Sequence, residues 1–277
     1  MARAAKPSTD IMGNMHEILR LLPAGAFVLD LGSRTGSFAA NPELVTVLVD
    51  TEVPTGCMRT FVAARAEALP FRDGQFVAVI SNHSLEHFEG LEQALDEIRR
   101  VIDPNGFLYI AVPDSSTVTD RIYRWMAQGG GHVNSFTSAS VLVRRVSEKT
   151  GLPHAGTRVL CTSLSFLNRA NITGRTQKKL WLFCGGSERA LRGLTYALRR
   201  LDRWFGSRLC IYGWACYFGS GIRVEAGTWT NVCVRCGAGH PSHQLQKAGR
   251  GKQRSFQCPQ CGAKNYFTPD EAYQFLR

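Results

Sequence analysis

Two Cys-x-x-Cys-Gly turns near the C-terminus carry the clearest metal-binding pattern in the sequence. Cys233 and Cys236 form the first pair, Cys258 and Cys261 form the second pair, and 21 residues separate the two pairs. Four thiolates at this spacing are typical of a tetrahedral structural zinc site. Because four cysteines leave no open coordination position, the predicted Zn2+ is structural and not catalytic. His240 lies between the pairs and is interpreted as a surface residue, not as a ligand.

The segment that holds these turns, residues 227–277, is too short to build a large apolar core. We therefore expect a zinc ribbon whose fold depends on the metal. Nucleic acid, another protein and the remainder of the chain are all candidates for what the ribbon contacts.

A second chemical signal is the glycine-rich turn in VLDLGSRTGSF, residues 28–38. A buried strand precedes this turn, and Gly32 and Gly36 allow backbone N–H groups to approach a ligand closely. Asp50 ends the next strand, twenty residues after Asp30. An acidic side chain at that place can accept hydrogen bonds from both hydroxyls of a ribose. The turn and Asp50 together predict a nucleoside-containing cofactor.

The hydrophobic pattern predicts the elements that position these residues. Four apolar runs suit buried parallel strands: AFVLDLG, LVTVLVD, FVAVISN and FLYIAVP, at residues 26–32, 44–50, 76–82 and 107–113. Helices are predicted from IMGNMHEILRLL at residues 11–22 and from LEQALDEIRRVI at residues 91–102. Strands that alternate with helices indicate a doubly wound α/β sheet.

The same pattern continues more loosely after residue 113. We expect a helix over residues 137–151, a strand over 156–166 and a last strand over 211–219. Between these strands, residues 187–206 predict a basic amphipathic helix. Its apolar side is predicted to consist of Leu191, Leu194, Leu198, Leu201 and Phe205. The predicted division is an α/β domain over residues 1–226 and a zinc ribbon over residues 227–277.

Four motifs follow one another in a recognisable order: VLDLGSRTGSF, VLVD, ARAEALPFRDGQFVAVISNHSLEHF and EIRRVIDPNGFLYIAVP. In order and spacing they resemble class I S-adenosylmethionine-dependent methyltransferases, particularly those acting on small molecules and on lipid-linked or sugar substrates. The resemblance covers residues 24–114, where an LPF-(x)4-F run and a P-x-G before a strand occur together. It implies a Rossmann-like methyltransferase sheet and S-adenosylmethionine as the cofactor.

The resemblance also implies which residues bind this cofactor. Asp30 would order the turn, and Asp50 would accept hydrogen bonds from the ribose hydroxyls. The other implied cofactor-binding residues are Gly32, Ser33 and Gly36 at the turn, Ala66 and Glu67 beside the adenine, and Ser81, Asn82 and His83 on the methionine side.

Two positions depart from the family pattern. Arg34 stands at the middle glycine of the turn, and Arg65 stands where an aspartate commonly meets the adenine amino group. The first change weakens close backbone approach at one residue, and the second removes a hydrogen bond of about 1 kcal/mol. Neither change is expected to abolish the site. The segment Ser37–Glu43 is short for the first helix of this fold, so we expect a helix of one or two turns there.

Methyl transfer from an activated sulfonium requires alignment and, for an oxygen acceptor, removal of a proton. NHSLEHF places Glu86 and His87 after a strand, and they resemble the Leu-Glu-His run of quinone-biosynthesis O-methyltransferases, where acidic residues can hold a divalent ion. GGGHVNSFT places His132 on a glycine-rich loop that could close over the substrate. The predicted catalytic residues are His132, His87 and Glu86, with Asp114 as a further candidate base.

The net charge of +11 is unevenly distributed along the chain. Residues 1–140 contain 11 basic and 16 acidic residues, whereas residues 141–277 contain 22 and 6. The second half therefore faces an anionic partner or is a solvated basic surface. The basic helix at 187–206, with Trp204, Phe205, Tyr212 and Trp214 nearby, suits an anionic membrane surface; the alternative is a core-packed helix with a solvated arginine face.

Three functions are compatible with these features. The first is methyl transfer to an oxygen or nitrogen of a small-molecule, sugar or lipid-linked acceptor. The second is an RNA methyltransferase that binds phosphates through its basic half and ribbon, although NHSLEH stands where an N-P-P-Y type of motif would be. The third is a noncatalytic binding protein with a cofactor cleft altered at Arg34 and Arg65.

The sequence also bears on localisation. It has no apolar run long enough to span a bilayer, and MARAAKPSTD lacks the apolar stretch of a signal peptide. We therefore expect a cytoplasmic protein, with peripheral membrane association left open.

Overall fold

The computed structural model describes residues 15–34, 36–126, 131–172, 174–225, 228–247, 249, 251–252 and 254–269. Its largest unit is a seven-stranded sheet. The strands are β1 Phe27–Leu31, β2 Val45–Asp50, β3 Phe61–Ala63, β4 Phe76–Asn82, β5 Ile102–Pro113, β6 His154–Cys161 and β7 Ile211–Phe218. The α-helices are α1 His16–Leu19, α2 Leu91–Val101, α3 Val118–Met126, α4 Ala139–Thr150, α5 Glu188–Phe205 and α6 Ser242–Lys247. Three 3-10 segments lie at Leu85–His87, Ser165–Leu167 and Gly174–Gly186.

The sheet has the strand order β3-β2-β1-β4-β5-β7-β6. Strands β1 to β5 pair in parallel, whereas β7 runs antiparallel to both of its neighbours, β5 and β6. The order reverses between β1 and β4, and a doubly wound sheet leaves a ligand crevice at the carboxyl ends of such strands. The predicted α/β fold with a mostly parallel, doubly wound sheet is confirmed.

Apolar side chains cover both faces of the central strands, which explains their nearly continuous hydrophobic sequences. On one face, α2 and α4 pack on the sheet through residues such as Ile98 and Val146. On the other face, Ile18 of α1 belongs to a buried cluster with Tyr109 and Tyr217 of the sheet. The site therefore rests on a sheet that is packed from both sides.

Local signals set the ends of the two helices that were predicted in the second half. The Ser138 side chain accepts a hydrogen bond at the start of α4, and Gly151 ends that helix at a φ of 75°. At α5, the Ser187 side chain accepts a hydrogen bond at the start of the helix, and Gly206 ends the helix at a φ of 63°. Both predicted helices are confirmed.

The helix expected between β1 and β2 is absent from the described residues there. Residues 36–44 form turns and bends instead of the one or two helical turns predicted over Ser37–Glu43. Pro42 disfavours the helical conformation at Asn41, and the Asn41 side chain accepts a 3.0 Å hydrogen bond from the Glu43 backbone N–H instead. The expected helix at residues 11–22 is described only as α1, because residues 11–14 lie outside the described part.

Helix α5 packs through a face that is partly polar. Its buried residues are Leu191, Thr195, Arg199 and Asp202. The Asp202 carboxylate accepts 2.8 Å hydrogen bonds from the backbone N–H groups of residues 209 and 210, where the chain folds back after the helix. Of the predicted apolar side, Leu191 is buried, whereas Leu194, Leu201 and Phe205 are exposed. The predicted apolar side is therefore buried only in part, and its exposed residues leave the membrane-surface alternative open.

No helix in the described ranges is both long enough and apolar enough to cross a bilayer.

The C-terminal part contains two small antiparallel sheets. Strand β8 Asn231–Val232 pairs with β9 Gly239–His240, and the second sheet consists of β10 Gly251–Lys252, β11 Ser255–Gln257 and β12 Lys264–Tyr266. This part packs on the α/β domain, since the Arg158 guanidinium lies 4.1 Å from the ring centroid of Trp229. Arg235 also forms an ion pair of 2.5 Å with Glu188. The division after residue 226 stays a prediction, because residues 226 and 227 lie outside the described part and contacts cross it.

Candidate active site and zinc centre

A buried carboxylate orders the turn after β1. Asp30 is fully buried, and its Oδ2 accepts a 2.7 Å hydrogen bond from the backbone N–H of Ser37. Burial raises the pKa of Asp30, while the hydrogen bonds of Ser37 act in the opposite direction. Asp30 Oδ1 and the Ser33 hydroxyl are buried and have no hydrogen-bond partner among the described residues. Unpartnered polar atoms at a glycine-rich turn fit a ligand that is itself rich in hydrogen-bonding groups.

The two glycines of this turn have backbone conformations that other residues rarely adopt. Gly32 has a φ of +68° and Gly36 has a φ of +112°. A Cβ on Gly32 would overlap the Ser84 side chain, and a Cβ on Gly36 would overlap the Arg59 guanidinium. Gly32 is therefore needed for the turn to pack against Ser84, whereas Gly36 is favoured by its φ because the Arg59 guanidinium can move aside.

Arg34 takes a glycine-like conformation in the same turn, with a φ of 48°. Its backbone N–H donates a 3.0 Å hydrogen bond to Asp50 Oδ2, and the Thr51 N–H donates a 2.8 Å bond to Asp50 Oδ1. A left-handed conformation costs a non-glycine residue about 1–2 kcal/mol, and a hydrogen bond to a carboxylate offsets that cost. The arginine is thus accommodated, and Asp50 links the turn to the end of β2.

A cavity of about 210 Å³ lies at the carboxyl ends of β1 and β2. Its lining includes Gly32, Asp50, Ala66, Glu67 and His87. A carboxylate on one side and a buried alanine on another fit the ribose and the adenine of a nucleoside. The structure therefore brings together four of the residues implied to bind the cofactor, and it adds His87 to them. We call this space the nucleoside cavity.

Arg65 lines the nucleoside cavity in place of the aspartate that is common in the family. It forms ion pairs of 2.9 Å with Glu89 and 3.4 Å with Glu67. Glu67 Oε1 also accepts a 3.0 Å hydrogen bond from the Gly90 N–H. At this edge of the cavity, an ion-pair network occupies the place of the expected hydrogen bond.

The residues that end β4 point in different directions. Ser81 is fully buried and hydrogen-bonded to Ser84, which in turn donates a 2.9 Å bond to the Leu31 carbonyl. Neither Ser81 nor Asn82 lines the nucleoside cavity. His83 turns away from that cavity, and its Nε2 lies 3.1 Å from the Tyr212 hydroxyl. The implied methionine-side roles of these three residues remain predictions.

A second cavity, of about 270 Å³, adjoins the nucleoside cavity, and His87 lines both. Side chains in its wall include His83, Glu86, Tyr123, His132 and Tyr212. A mixture of aromatic, apolar and a few titratable groups is typical of small-molecule sites. Burial lowers the pKa of His83 to about 4, so this imidazole is neutral at physiological pH. We call this space the second cavity.

The three predicted catalytic side chains meet in the second cavity. One polar atom from each of Glu86, His87 and His132 lies within 4.8 Å of the other two. The ring centroids of His87 and His132 are 5.0 Å apart. Asp120 Oδ1 lies 3.8 Å from His132 Nδ1. Groups this close can bind one acceptor and exchange a proton with it.

Burial determines the protonation states of these groups. It raises the pKa of Glu86 to about 8, and the neighbouring Asp120 acts in the same direction. It lowers the pKa of His132, with a further lowering from His87. At neutral pH, Glu86 is therefore mostly protonated and can donate a hydrogen bond, whereas His132 is neutral and can accept a proton.

The loop that carries His132 is docked on the 3-10 segment Leu85–His87. The backbone N–H groups of Val133 and Asn134 donate hydrogen bonds of 2.8 and 3.0 Å to the Glu86 carbonyl. The Asn134 side chain donates to the carbonyls of residues 85 and 88. The loop predicted to close over the substrate is therefore held from residue 131 onward, and residues 127–130 lie outside the described part.

Asp114, the further candidate base, has a structural role. It is fully buried, accepts hydrogen bonds from the Ser116 N–H and hydroxyl, and pairs with Arg208 at 2.8 Å. It lines neither of the two cavities. Its carboxylate binds the chain between β5 and α3, and the structure does not place this candidate base in either cavity.

Asp120 and Tyr212 are among the residues of the second cavity that were not predicted as site residues. Asp120 lies in the first turn of α3, where an acidic residue is common for helix-dipole reasons and gives no separate signal. Tyr212 reaches the cavity because β7 lies antiparallel beside β5. Only the strand order brings it there.

The four cysteines converge as predicted. The sulfur atoms of Cys233, Cys236, Cys258 and Cys261 all lie within 4.8 Å of one another. Four thiol ligands at one point suggest a structural zinc site, because zinc favours four sulfur ligands in a tetrahedron.

The backbone of the two cysteine turns also suits a structural zinc site. The N–H groups of Gly237 and Gly262 donate hydrogen bonds of 3.0 and 2.9 Å to the carbonyls of residues 233 and 258. Both glycines are left-handed, with φ values of 74° and 73°. The Arg235 N–H and the Asn265 side-chain amide approach Cys233 Sγ at 3.4 and 3.6 Å. Such donors stabilise a thiolate, which is the form that binds metal.

His240 is buried, which corrects its interpretation as a surface residue. It is only 1% exposed, and its Nε2 lies 3.4 Å from Cys258 Sγ. Pairing of β9 with β8 places His240 opposite Asn231, in the interior beside the cysteines.

The part of the chain that lines the nucleoside cavity is similar to a known protein family. Residues 29–110 match the family model described as "Methyltransferase domain". This segment contains the turn after β1, Asp50 at the end of β2, and the 3-10 segment with Glu86 and His87. Residues 29–110 are therefore similar to a methyltransferase domain. S-adenosylmethionine is the cofactor of that family, and the nucleoside cavity of this domain fits it.

Curated relatives are similar over part of the chain. A malonyl-[acyl-carrier protein] O-methyltransferase of Methylococcus capsulatus is 31% identical over 139 residues, covering 44% of this chain and 50% of the relative. One of Pseudescherichia vulneris is 32% identical over 92 residues, covering 33% and 37%. The chain thus spans half or less of the length of these relatives. A solved SAM-dependent methyltransferase from Archaeoglobus fulgidus is 15% identical with a TM-score of 0.48, covering 74% of this chain and 90% of that one.

Proposed function

We propose that this chain transfers the methyl group of S-adenosylmethionine to an oxygen or nitrogen of a small-molecule, sugar or lipid-linked acceptor. One observation carries the proposal: the nucleoside cavity of the methyltransferase domain adjoins the second cavity at His87. Methyl transfer requires donor and acceptor sites that meet, and the side chains that meet on the acceptor side include Glu86 and His132.

The nucleoside cavity would hold the cofactor. Asp50 would accept hydrogen bonds from the ribose hydroxyls, as a carboxylate at a strand end can do. Ala66 and Glu67 would border the adenine, and the turn at Gly32 would face the methionine part. S-adenosylmethionine supplies an electrophilic methyl group on a positively charged sulfur.

His132 is proposed as the base for a hydroxyl acceptor. Its lowered pKa keeps the imidazole neutral at pH 7, so it can take the acceptor proton. His132 would receive that proton as the acceptor oxygen is methylated. Asp120, 3.8 Å from Nδ1, would orient the ring and stabilise its protonated form. The protonated Glu86 would donate a hydrogen bond to the acceptor.

The names of the relatives extend this proposal to a carrier-borne acceptor. Both are named for methylating a malonyl group on acyl carrier protein, which is a carboxyl oxygen held by a carrier. A carboxylate acceptor needs no base, and protonated Glu86 would then bind it. The excess of basic residues over residues 141–277 suits an anionic carrier.

A second candidate partner is an anionic membrane surface, which α5 favours. Leu201, Trp204 and Phe205 are 37%, 62% and 76% exposed. The Arg200 guanidinium lies 4.7 Å from the ring centroid of Trp204. Aromatic and arginine side chains side by side on an exposed helix suit the boundary between headgroups and acyl chains. Such binding would bring the chain to a lipid-linked acceptor at a cytoplasmic membrane face.

Calorimetry and a transfer assay test the proposed function. The full chain is expected to bind S-adenosylmethionine with measurable heat and to transfer labelled methyl from it to a small-molecule or lipid fraction. His132→Ala should keep cofactor binding and lose at least a hundredfold in turnover of a hydroxyl acceptor, since general base catalysis contributes about that much. Absence of both heat and thermal shift would favour the noncatalytic alternative. Label that ribonuclease removes would favour the RNA alternative.

A further inference from the structure

The C-terminal module meets the α/β domain at its first cysteine turn, residues 233–237, here called the first knuckle. The partner is the segment 162–171, which follows β6 and is here called the acceptor-side segment. Three of its side chains donate hydrogen bonds to the knuckle backbone. They run from Ser163 Oγ, Asn168 Nδ2 and Asn171 Nδ2 to the carbonyls of residues 233, 234 and 235, at 2.7, 2.9 and 2.7 Å.

Most of this contact is shielded from water. Ser163 and Asn168 are 0% and 1% exposed, and Val234 of the knuckle is 2% exposed. Val234 belongs to one apolar cluster with Leu167 of the acceptor-side segment and Leu191 of α5. A buried donor left without its carbonyl costs about 1–3 kcal/mol. The knuckle and the acceptor-side segment therefore keep one relative position as long as both are folded.

The knuckle and the acceptor-side segment together form one wall of the second cavity. Ser165 and Phe166 line it from the segment, and Gly237 lines it from the knuckle. Gly237 has a φ of +74°, and a Cβ there would lie 2.8 Å from Ser165 Oγ. By contrast, none of the described residues that line the nucleoside cavity comes from the C-terminal module.

We infer that the zinc knuckle sets the shape of the acceptor cavity. The metal would hold Cys233 and Cys236, the knuckle carbonyls hold the acceptor-side segment, and that segment presents Ser165 and Phe166 to the acceptor. This role rests on the proposed function, which assigns the second cavity to the methyl acceptor. The module is then a specificity element for the acceptor and takes no part in cofactor binding.

Hydrogen exchange of the full chain, read by mass spectrometry, tests the link between metal and cavity wall. The Leu167 and Asn168 amides donate to carbonyls within the acceptor-side segment. Stripping the metal with a chelator is expected to speed exchange over residues 162–171 at least tenfold, while β1 and β2 keep their rates. A chain that binds no zinc, or a stripped chain that protects residues 162–171 as before, would overturn the inference.

A pair of glycine variants separates the wall from the metal. Gly237 and Gly262 occupy equivalent places in the two cysteine turns, with φ values of 74° and 73°. A Cβ on Gly237 meets Ser165, whereas a Cβ on Gly262 meets nothing within 4 Å. Gly237→Leu and Gly262→Leu therefore carry the same backbone strain and differ in what they push against. Both are expected to retain one zinc per chain and wild-type affinity for S-adenosylmethionine.

Only Gly237→Leu is expected to speed exchange over residues 162–171. With malonyl-acyl carrier protein as the acceptor probe, it should also raise KM at least tenfold. Equal effects of the two variants on exchange would overturn the inference. Failure of the wild-type chain to bind S-adenosylmethionine would contradict the proposed function instead, and the exchange data would still decide whether the knuckle holds the wall. If malonyl-acyl carrier protein is not methylated, no KM is measured, and the exchange rates of the two variants then test the inference.

Discussion

Asp50 connects two parts of the nucleoside cavity through its two carboxylate oxygens. Oδ2 accepts from the Arg34 N–H and Oδ1 accepts from the Thr51 N–H. Each carboxylate oxygen has a further lone pair, so these backbone bonds leave capacity for ribose hydroxyls. The residue thereby holds the turn and offers acceptors to a ligand at the same place.

Asp50→Ala should weaken S-adenosylmethionine binding by about 10- to 100-fold, because charge-assisted hydrogen bonds contribute about 1.5–3 kcal/mol. Calorimetry measures the dissociation constant directly. Asp96→Ala is the matched control, since Asp96 is exposed and pairs with Lys149 away from either cavity. A dissociation constant unchanged in Asp50→Ala would remove the ribose assignment.

Glu86 makes a pH-dependent contribution to stability. Burial raises its pKa from 4.5 to about 8, so the folded chain retains a proton that the unfolded chain releases between those values. The unfolded state binds fewer protons in this window, and the free energy of unfolding therefore falls as the pH rises from about 4.5 to about 8. Each pKa unit corresponds to about 1.4 kcal/mol.

Glu86→Gln keeps a neutral side chain of nearly the same shape at every pH. The free energy of unfolding of Glu86→Gln minus that of the wild type should be larger at pH 8 than at pH 5, by at least about 2 kcal/mol. Urea titrations at the two pH values measure the difference. Glu92→Gln, at an exposed position in α2, is the control. Its free energy of unfolding should not increase relative to that of the wild type between pH 5 and pH 8. Parallel pH dependence of wild type and Glu86→Gln would contradict the buried-acid interpretation.

At the scale of elements, the turn after β1 shows how one unusual residue is tolerated. Arg34 adopts a φ of 48° that a glycine would adopt without strain. Arg34→Gly removes about 1–2 kcal/mol of strain but adds flexibility to the unfolded chain. We expect stability to rise by about 0–1 kcal/mol and cofactor affinity to be equal or higher. Arg34→Lys keeps both charge and strain and should leave stability unchanged. A large loss of affinity in Arg34→Gly would show that the guanidinium contacts the cofactor.

Helix α5 shows how the folding back of the chain decides which face of a helix is buried. Asp202 is turned inward to bind the backbone at residues 209 and 210, which leaves Trp204 and Phe205 outward. Replacing both aromatics by alanine should weaken binding to phosphatidylglycerol vesicles at least fivefold, measured by co-sedimentation. Trp125→Ala, also at an exposed aromatic, is the control. Equal binding of all three proteins would remove α5 as a membrane contact.

At the scale of the whole molecule, the C-terminal module and the α/β domain depend on each other unequally. The module binds the domain through buried hydrogen bonds at Ser163 and Asn168 and through the ion pair of Arg235 with Glu188. The sheet has its own large core on both faces. Loss of the module should therefore disturb the second cavity more than the nucleoside cavity.

Elemental analysis should find about one zinc per chain. Cys258→Ser should lose it and unfold the C-terminal module locally, because a module this small depends on its metal. Cys184→Ser, at an exposed cysteine outside the cluster, should keep the zinc. Both variants should bind S-adenosylmethionine as the wild type does. Loss of cofactor binding in Cys258→Ser would show that the two parts fold as one unit and would contradict a boundary near residue 227.

The sequence by itself determined those features that depend on local order. Strands β1, β2, β4 and β5 follow from continuous apolar runs, because strands buried on both faces require them. Asp30, Asp50, Glu86 and His87 were found because Asp30 and Asp50 lie at the ends of two strands and Glu86 and His87 follow a third. The cysteine cluster was found for the same reason, since two short turns define four ligands.

Only the tertiary structure decided which distant groups share a space. Tyr212 joins His83 because β7 inserts antiparallel between β5 and β6, an order that no local period encodes. Asp120 reaches His132 because α3 packs against β7. Gly237 lines the second cavity because the knuckle docks on the acceptor-side segment. Such contacts arise from burial and hydrogen bonding between segments far apart in the chain, and local sequence does not specify them.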